Sequence, residues 1–309
     1  MITYWKNGTD LHEINSPEKN CWINSINPTQ EEIDILTGTY HVPFEIISDI
    51  LDMDERSRME IDEEWIALIM RIPIYNKGNG IPYYTIPFGL ILLNDYLVSV
   101  CLSHNEILNE ITQPVRNRKT DFENKINFIL QIFLSSAKVY LKYLKQINVE
   151  TTIIEKDLEQ STRNKELQKL LRMEKCLVYF ITSLKSNELL LSKLRNSKFF
   201  NIKESNEDLL EDVIIENKQA IEMANIYSDI LSGMMDAFAS VISNNMNVVM
   251  KQLTSITILL MIPTLIASFY GMNIPNYFES SKWGFGIVIV LSVVLSGMGL
   301  FFFRKKRWF

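Results

Sequence analysis

The stretch Gln252 to Tyr270, QLTSITILLMIPTLIASFY, runs for 19 residues without an aspartate, glutamate, lysine or arginine, and Trp283 to Phe303, WGFGIVIVLSVVLSGMGLFFF, runs for another 21. A helix needs roughly 20 apolar residues to cross the hydrocarbon of a bilayer, and charges are costly there. The alternative is a pair of buried helices in a large soluble core. Two uncharged runs of spanning length, only 12 residues apart at the C-terminal end, are hard to bury that way. They are expected to form a membrane hairpin below a water-soluble body.

The basic residues orient the hairpin. Lys251 precedes the first run and Arg304, Lys305, Lys306 and Arg307 follow the second, whereas the connecting loop has Lys282 against Glu279. Positive charge is retained on the cytoplasmic side. Both termini are therefore expected inside the cell and the short loop outside, in the plasma (inner) membrane. Met1 to Asn7 contains no apolar run of signal-peptide length, so the first 250 residues are expected to stay cytoplasmic.

Composition narrows the function. Among 309 residues, 31 are basic and 37 acidic, a net charge of −6, which lacks the excess needed to neutralise phosphates; nucleic acid is not an expected partner. Cys21, Cys101 and Cys176 are too far apart for a disulfide framework or a paired-cysteine zinc site and read as reduced core residues. His12, His41 and His104 lie more than a helical turn apart, so no histidine metal cluster is expected. No nucleophile, base and orienting group can be assembled, and no Walker-type phosphate loop is present, so no enzyme is expected.

The first third reads as mixed α/β. Glu45 to Met53 has helical spacing, and Trp65 to Met70 is a compact apolar run of strand length. Gly78-Asn79-Gly80 offers positive-φ residues for a tight reversal, and Tyr83 to Leu93 and Tyr96 to Leu102 continue the sheet across the Asn94-Asp95 turn. Pro73, Pro82 and Pro87 suggest strand ends or edges. From about Asp121 the chain reads as long helices, since Gly233 is the single glycine and no proline occurs between Pro114 and Pro263. Breaks are expected near Ile147 to Thr152 and Asn196 to Lys203. The helix starting near Glu204 should run without interruption into the first membrane span, on the order of 100 Å to Tyr270.

That helix carries a heptad row, Val213, Ala220, Tyr227, Met234, Val241 and Val248, with Ala224, Leu231 and Phe238 beside it. This spacing suits helices of several chains around one axis; packing within the chain is the alternative. Nine carboxylates from Glu204 to Asp236 face two lysines, Lys218 and Lys251. Copies standing side by side would need that charge separated, screened or neutralised by cations.

Two helices cannot enclose a pore, so transport would require an oligomer. The first span is the better lining. It bears Thr254, Ser255, Thr257, Thr264 and Ser268, and Asn247, Met250, Leu253, Thr257, Met261, Thr264 and Ser268 recur at helical spacing along one neutral face. Apolar rings on such a face can close by dewetting. The second span has Gly284, Gly286, Ser292, Ser296, Gly297 and Gly299 for close packing.

Tyr270-Gly271-Met272-Asn273 closes the first span, Pro263 lies within it, and Arg304-Lys305-Lys306-Arg307-Trp308-Phe309 ends the chain. A Gly-Met-Asn triplet between two terminal spans resembles the CorA family of magnesium and divalent-cation channels. The likeness extends upstream through Asp229 to Gly233 and Met246 to Lys251, and more loosely through the α/β region. The resemblance implies an α+β membrane protein built as a homopentameric funnel, with an N-terminal α/β cytoplasmic domain and a stalk helix continuous with the first of two transmembrane helices. Its parts are the α/β domain at residues 1–120, long antiparallel helices at 121–203, the stalk at 204–251 and the pore domain at 252–309, with spans 252–270 and 283–303 and outer loop 271–282.

The resemblance further implies that Gly271, Met272 and Asn273 form the selectivity mouth of a channel for Mg2+, with Co2+ and Ni2+ as further candidates. Mg2+ dehydrates reluctantly, so neutral carboxamides and carbonyls can hold the hydrated ion without stripping it. Glu279, where the family has an acidic residue, would draw cations toward the mouth. Asp212 and Asp236 match stalk positions where relatives carry carboxylates, and Mg2+ bound there between subunits would favour the closed ring. Ile74-Tyr75-Asn76-Lys77 departs from the pattern, with Asn76 where relatives can supply the partnering carboxylate. Alternatives are a zinc transporter of the ZntB type, against which Met272 argues, and a membrane-anchored scaffold that transports nothing.

Overall fold

The computed structural model describes residues 1–7, 11–78, 80–112, 125–160, 164–197, 204–272 and 282–306. The chain divides into two compact units, Met1–Gly233 and Met234–Phe309.

The first unit is built on one seven-stranded sheet: β1 (Ile2–Asn7), β2 (Leu11–Ile14), β3 (Cys21–Ile26), β4 (Arg58–Ile61), β5 (Trp65–Tyr75), β6 (Tyr83–Leu93) and β7 (Tyr96–Cys101). Their spatial order is β2-β1-β3-β7-β6-β5-β4. Only β3 and β7 pair in parallel; every other neighbour is antiparallel. Helices α1 (Gln30–Gly38) and α2 (Phe44–Leu51) connect β3 to β4. They bury Ile33, Leu36, Ile46, Ile47 and Ile50 against Ile23, Ala67, Ile69, Ile91 and Val98. A box of hydrogen bonds starts α1, with the Glu32 amide donating to Thr29 Oγ1 at 3.4 Å and the Thr29 amide to Glu32 Oε2 at 2.9 Å.

Past β7 the chain forms α3 (Glu106–Thr112), α4 (Lys125–Gln160) and α5 (Asn164–Asn196); Trp22 meets Phe128 of α4 at 5.1 Å between ring centroids, and Tyr140 meets Phe180 of α5 at 5.0 Å. Tyr140 Oη also donates to the Arg71 carbonyl at 3.0 Å. Leu68 and Met70 are as fully buried as Ala67 and Ile69, whose side chains point the opposite way along β5. Covering on both faces explains why Trp65 to Met70 is a continuous apolar run instead of an alternating one.

Arg71 is a half-buried cation in this layer. Its Nε donates to Thr85 Oγ1 and Ser183 Oγ, each at 3.2 Å, and its other nitrogens donate to the Thr85, Met53 and Glu55 carbonyls. Burial lowers its pKa. Asn187 of α5 accepts from the Arg71 amide at 2.9 Å and donates to the Arg71 carbonyl at 2.8 Å, which ties the helix to the strand.

Several expectations are corrected. The helix does not break at Ile147 to Thr152; α4 runs through, with Ile147 and Thr151 buried and Thr152 Oγ1 donating to the Asn148 carbonyl at 3.0 Å. Gly78 and Gly80 do not have positive φ. The ladder closes at Tyr75↔Tyr83 and the Asn76 amide reaches the Pro82 carbonyl, so the reversal is wider than a tight turn. Pro73 and Pro87 lie inside β5 and β6, but where β4 and β7, the neighbours on their far sides, have already ended. Each is therefore a local edge within a central strand.

α6 (Glu204–Tyr270) is one helix of 67 residues. Within the first unit its buried positions are Asn206, Leu210, Val213, Asn217, Ala220, Ala224 and Leu231. Asn217 Nδ2 donates to the Leu184 carbonyl of α5 at 3.2 Å. The first half of the heptad row therefore packs within its own chain, and the inter-chain reading does not hold there. Val241 and Val248 further along are 46 % and 44 % exposed.

Candidate functional site

The second unit contains the end of α6 and α7 (Gly284–Lys305). Both are long and apolar enough to cross a membrane, and only 6 % of the apolar window in each is buried. A core helix would be mostly covered, so the soluble-core alternative fails on exposure.

The two helices meet along one face of each. On α6 that face holds fully buried Ser255 and partly covered Leu259, Ile262, Ile266 and Tyr270. On α7 it holds buried Gly284 and partly covered Val288, Ser292, Leu295, Ser296, Gly299 and Phe303. At Gly299 an added Cβ would stand 3.1 Å from Leu259 Cδ2 and 3.5 Å from Ile262 Cδ1. Gly286 and Gly297 meet nothing within 4 Å, so they are not packing glycines within the chain as the sequence suggests. Ser255 is corrected too: it lies in this interhelical face and donates to the Lys251 carbonyl at 2.8 Å. Its position one turn before Leu259 places it on that face.

At roughly 100° per residue, Met250, Leu253, Thr257, Met261, Thr264 and Ser268 fall on the opposite side of α6, and Asn247 falls at its flank. All seven are exposed, Met250 at 52 %, Leu253 at 58 % and Met261 at 63 %. Thr254 Oγ1 donates to the Met250 carbonyl at 2.8 Å, Thr257 Oγ1 to Leu253 at 2.9 Å and Thr264 Oγ1 to Leu260 at 2.9 Å. Each hydroxyl spends its hydrogen on its own helix and presents lone pairs outward. A hydrated cation directs water hydrogens outward, so acceptors of this kind suit it. Pro263, lacking an N–H, cannot donate to the Leu259 carbonyl inside this helix.

α6 closes with the Gly271 amide donating to the Ala267 carbonyl at 2.9 Å and the Met272 amide to Phe269 at 3.4 Å. A Cβ on Gly271 would stand 3.3 Å from the Ala267 carbonyl oxygen, so the residue suits this tight approach. Asn273 and Glu279 lie outside the described residues, as do Arg307, Trp308 and Phe309.

Asp212 in the first unit and Asp236 in the second are both exposed. Among the described residues no group of three or more His, Cys, Asp or Glu side chains is arranged to hold a metal ion within one chain. Asn76 uses its Oδ1 locally, accepting from the Gly78 amide at 3.0 Å.

A family profile described as CorA-like Mg2+ transporter protein matches residues 17–305. The chain belongs to the CorA family. A curated CorA relative, the cobalt/magnesium transport protein of Methanocaldococcus jannaschii, is 26 % identical over 291 residues, covering 93 % of this chain and 90 % of its own. The complete structure of the CorA magnesium transporter from the same organism superposes with a TM-score of 0.84 at 23 % identity, covering 100 % of this chain and 99 % of the other. The ZntB cytoplasmic domain from Vibrio parahaemolyticus shares the fold less closely, with a TM-score of 0.60 at 15 % identity over 79 % of this chain and 97 % of its own. The CorA fold thus covers both units, including the two apolar helices.

Proposed function

We propose that this CorA-family protein is a homo-oligomeric channel, a homopentamer by its family resemblance, that passes Mg2+ across the plasma membrane into the cytoplasm, with Co2+ and Ni2+ as further ions. The observation that carries the reading is the neutral, exposed row from Met250 to Ser268, set on the side of α6 away from α7 and leading to Gly271 and Met272, with exposed Asn247 at its flank. Copies arranged with that row inward would enclose an uncharged path, with Asn273 at its mouth and Glu279 drawing cations toward it. The membrane potential is sufficient as a driving force: a divalent ion moving through 100 mV gains about 4.6 kcal/mol. Intracellular Mg2+ shared by Asp212 and Asp236 of adjacent copies would favour the closed ring. Among the described residues one chain offers no group of three ligating side chains, which supports a site shared with a second copy.

The test is uptake into liposomes of purified protein with an entrapped Mg2+ dye. An inside-negative potential accelerates entry, Asn273→Ala abolishes selective flux with assembly intact, and Asp212→Ala weakens closure by internal Mg2+. No uptake at any internal Mg2+ would favour a scaffold, and a preference for Zn2+ would favour the ZntB-like alternative.

A further inference from the structure

The end of α7 combines an apolar groove with a cluster of positive charge. Gly297, Met298, Gly299, Phe301 and Phe302 line a depression of about 590 Å³ on the helix surface. Gly297 forms an open floor, with nothing within 4 Å of an added Cβ, while Met298, Phe301 and Phe302 stand 59 %, 70 % and 58 % exposed around it. Arg304 and Lys305 follow Phe301 by three and four residues, which sets them one turn beyond the groove on the same side. Lys306 is exposed next to them. Among the described residues of this unit, Lys251, Lys282, Arg304, Lys305 and Lys306 face a single carboxylate, Asp236. Among the described residues of this unit, three adjacent cations at the end of a span thus stand against the one carboxylate of Asp236, some 70 positions earlier in the chain.

We propose that Arg304, Lys305 and Lys306, together with the groove from Gly297 to Phe302, form a binding site for an anionic phospholipid of the cytoplasmic leaflet. The phosphate would sit among the three cations and an acyl chain would lie over the glycine floor between the aromatic rings. Charge complementarity selects this occupant: a neutral lipid would fill the groove and leave the cations unmatched, and a free phosphate would match the cations and leave the groove bare. Each basic residue near an anionic surface is worth about fivefold in partitioning. The inference rests on the reading that α7 spans a bilayer and does not depend on ion conduction.

Native mass spectrometry of the full-length protein, delipidated and then offered phosphatidylglycerol or phosphatidylcholine with identical chains, tests it. Phosphatidylglycerol should be retained at least about tenfold better. R304Q/K305Q/K306Q should remove that preference. Gly297→Leu, which keeps every charge and fills the floor, should lower phosphatidylglycerol retention several-fold, and glycerol phosphate should not compete. Equal retention of the two lipids would overturn the site. So would a Gly297→Leu protein that keeps full retention, since the cations would then act as a diffuse field, or one that loses its oligomer with retention unchanged, since the groove would then hold a neighbouring helix. Flux is recorded on the same samples: retained lipid with no ion flux overturns the transport reading alone.

Discussion

Gly299 lies against Leu259 so closely that a single added carbon would stand 3.1 Å from Leu259 Cδ2. No apolar driving force joins helices in lipid, so the hairpin depends on close packing of this kind. Gly299→Leu should separate the two helices and lower the thermal stability of the detergent-solubilised protein. Gly286→Leu should leave it nearly unchanged, because nothing lies within 4 Å of that position. Equal melting temperatures for the two variants would show that the contact contributes nothing.

A comparable contact fixes α2 on the sheet. A Cβ at Gly89 would fall 2.0 Å from Ile50 Cδ1 and 2.6 Å from Ile50 Cγ1. Gly89→Ala should cost about 1–3 kcal/mol by overpacking, and Ile50→Ala about 2–5 kcal/mol by leaving a cavity. The double variant should cost clearly less than the two together, since the new methyl enters the vacated space. Denaturant melts of all four proteins measure the coupling, and strict additivity would contradict the predicted contact.

Leu253 is an apolar member of the otherwise partly hydroxylated row on α6. Leu253→Ser should keep that level of the path wet and raise Mg2+ leak several-fold when internal Mg2+ is high, with little change in protein stability. Dye-loaded liposomes at fixed internal Mg2+ report the leak. A variant that closes as tightly as the parent would remove Leu253 from the gate.

Burial pushes the Cys101 and Cys176 thiols up to about 11. A raised thiol pKa favours the protonated folded form, while the unfolded chain loses its protons first, near 9. Stability from this source is constant below about pH 9 and falls as pH rises from 9 to 11. Burial also raises Tyr40, Tyr83, Tyr140 and Tyr143, with the same sign. Melting temperature should therefore decline steadily in that window, and Cys101→Ala should reduce the slope without removing it. A flat profile to pH 11 would contradict the burial.

The parts legible in the sequence are those where one physical demand dominates. A bilayer tolerates almost no charge, so the uncharged runs ending at Tyr270 and Phe303 identify α6 and α7 directly. Strands β5, β6 and β7 are legible because coverage on both faces makes them apolar throughout. β1 to β3 are not, because their burial is satisfied by distant partners: Trp22 Nε1 donates to Ser99 Oγ at 2.8 Å, and Ser99 Oγ donates to Asn24 Oδ1 at 2.9 Å. Local pattern cannot reveal bonds across some 75 residues. The same applies to Ile147 and Thr151, whose β-branched side chains suggest a break until packing covers them. The heptad row misleads because a spacing of seven states that a helix is covered on one side and not by which chain. In the candidate site, the neutral face could be read from spacing alone. The side that α7 covers could not, since it depends on where Gly299 lands.

The threonines of α6 carry one more consequence. A proton wire needs hydroxyls that accept from one neighbour and donate to the next, turning over with each transfer. Thr254, Thr257 and Thr264 have committed their hydrogens to carbonyls one turn back and cannot turn without breaking those bonds. Along the proposed path, relay of H+ from hydroxyl to hydroxyl would be interrupted at Thr257 and Thr264, and at neighbouring Thr254, while a metal ion that keeps its waters would need no such turnover.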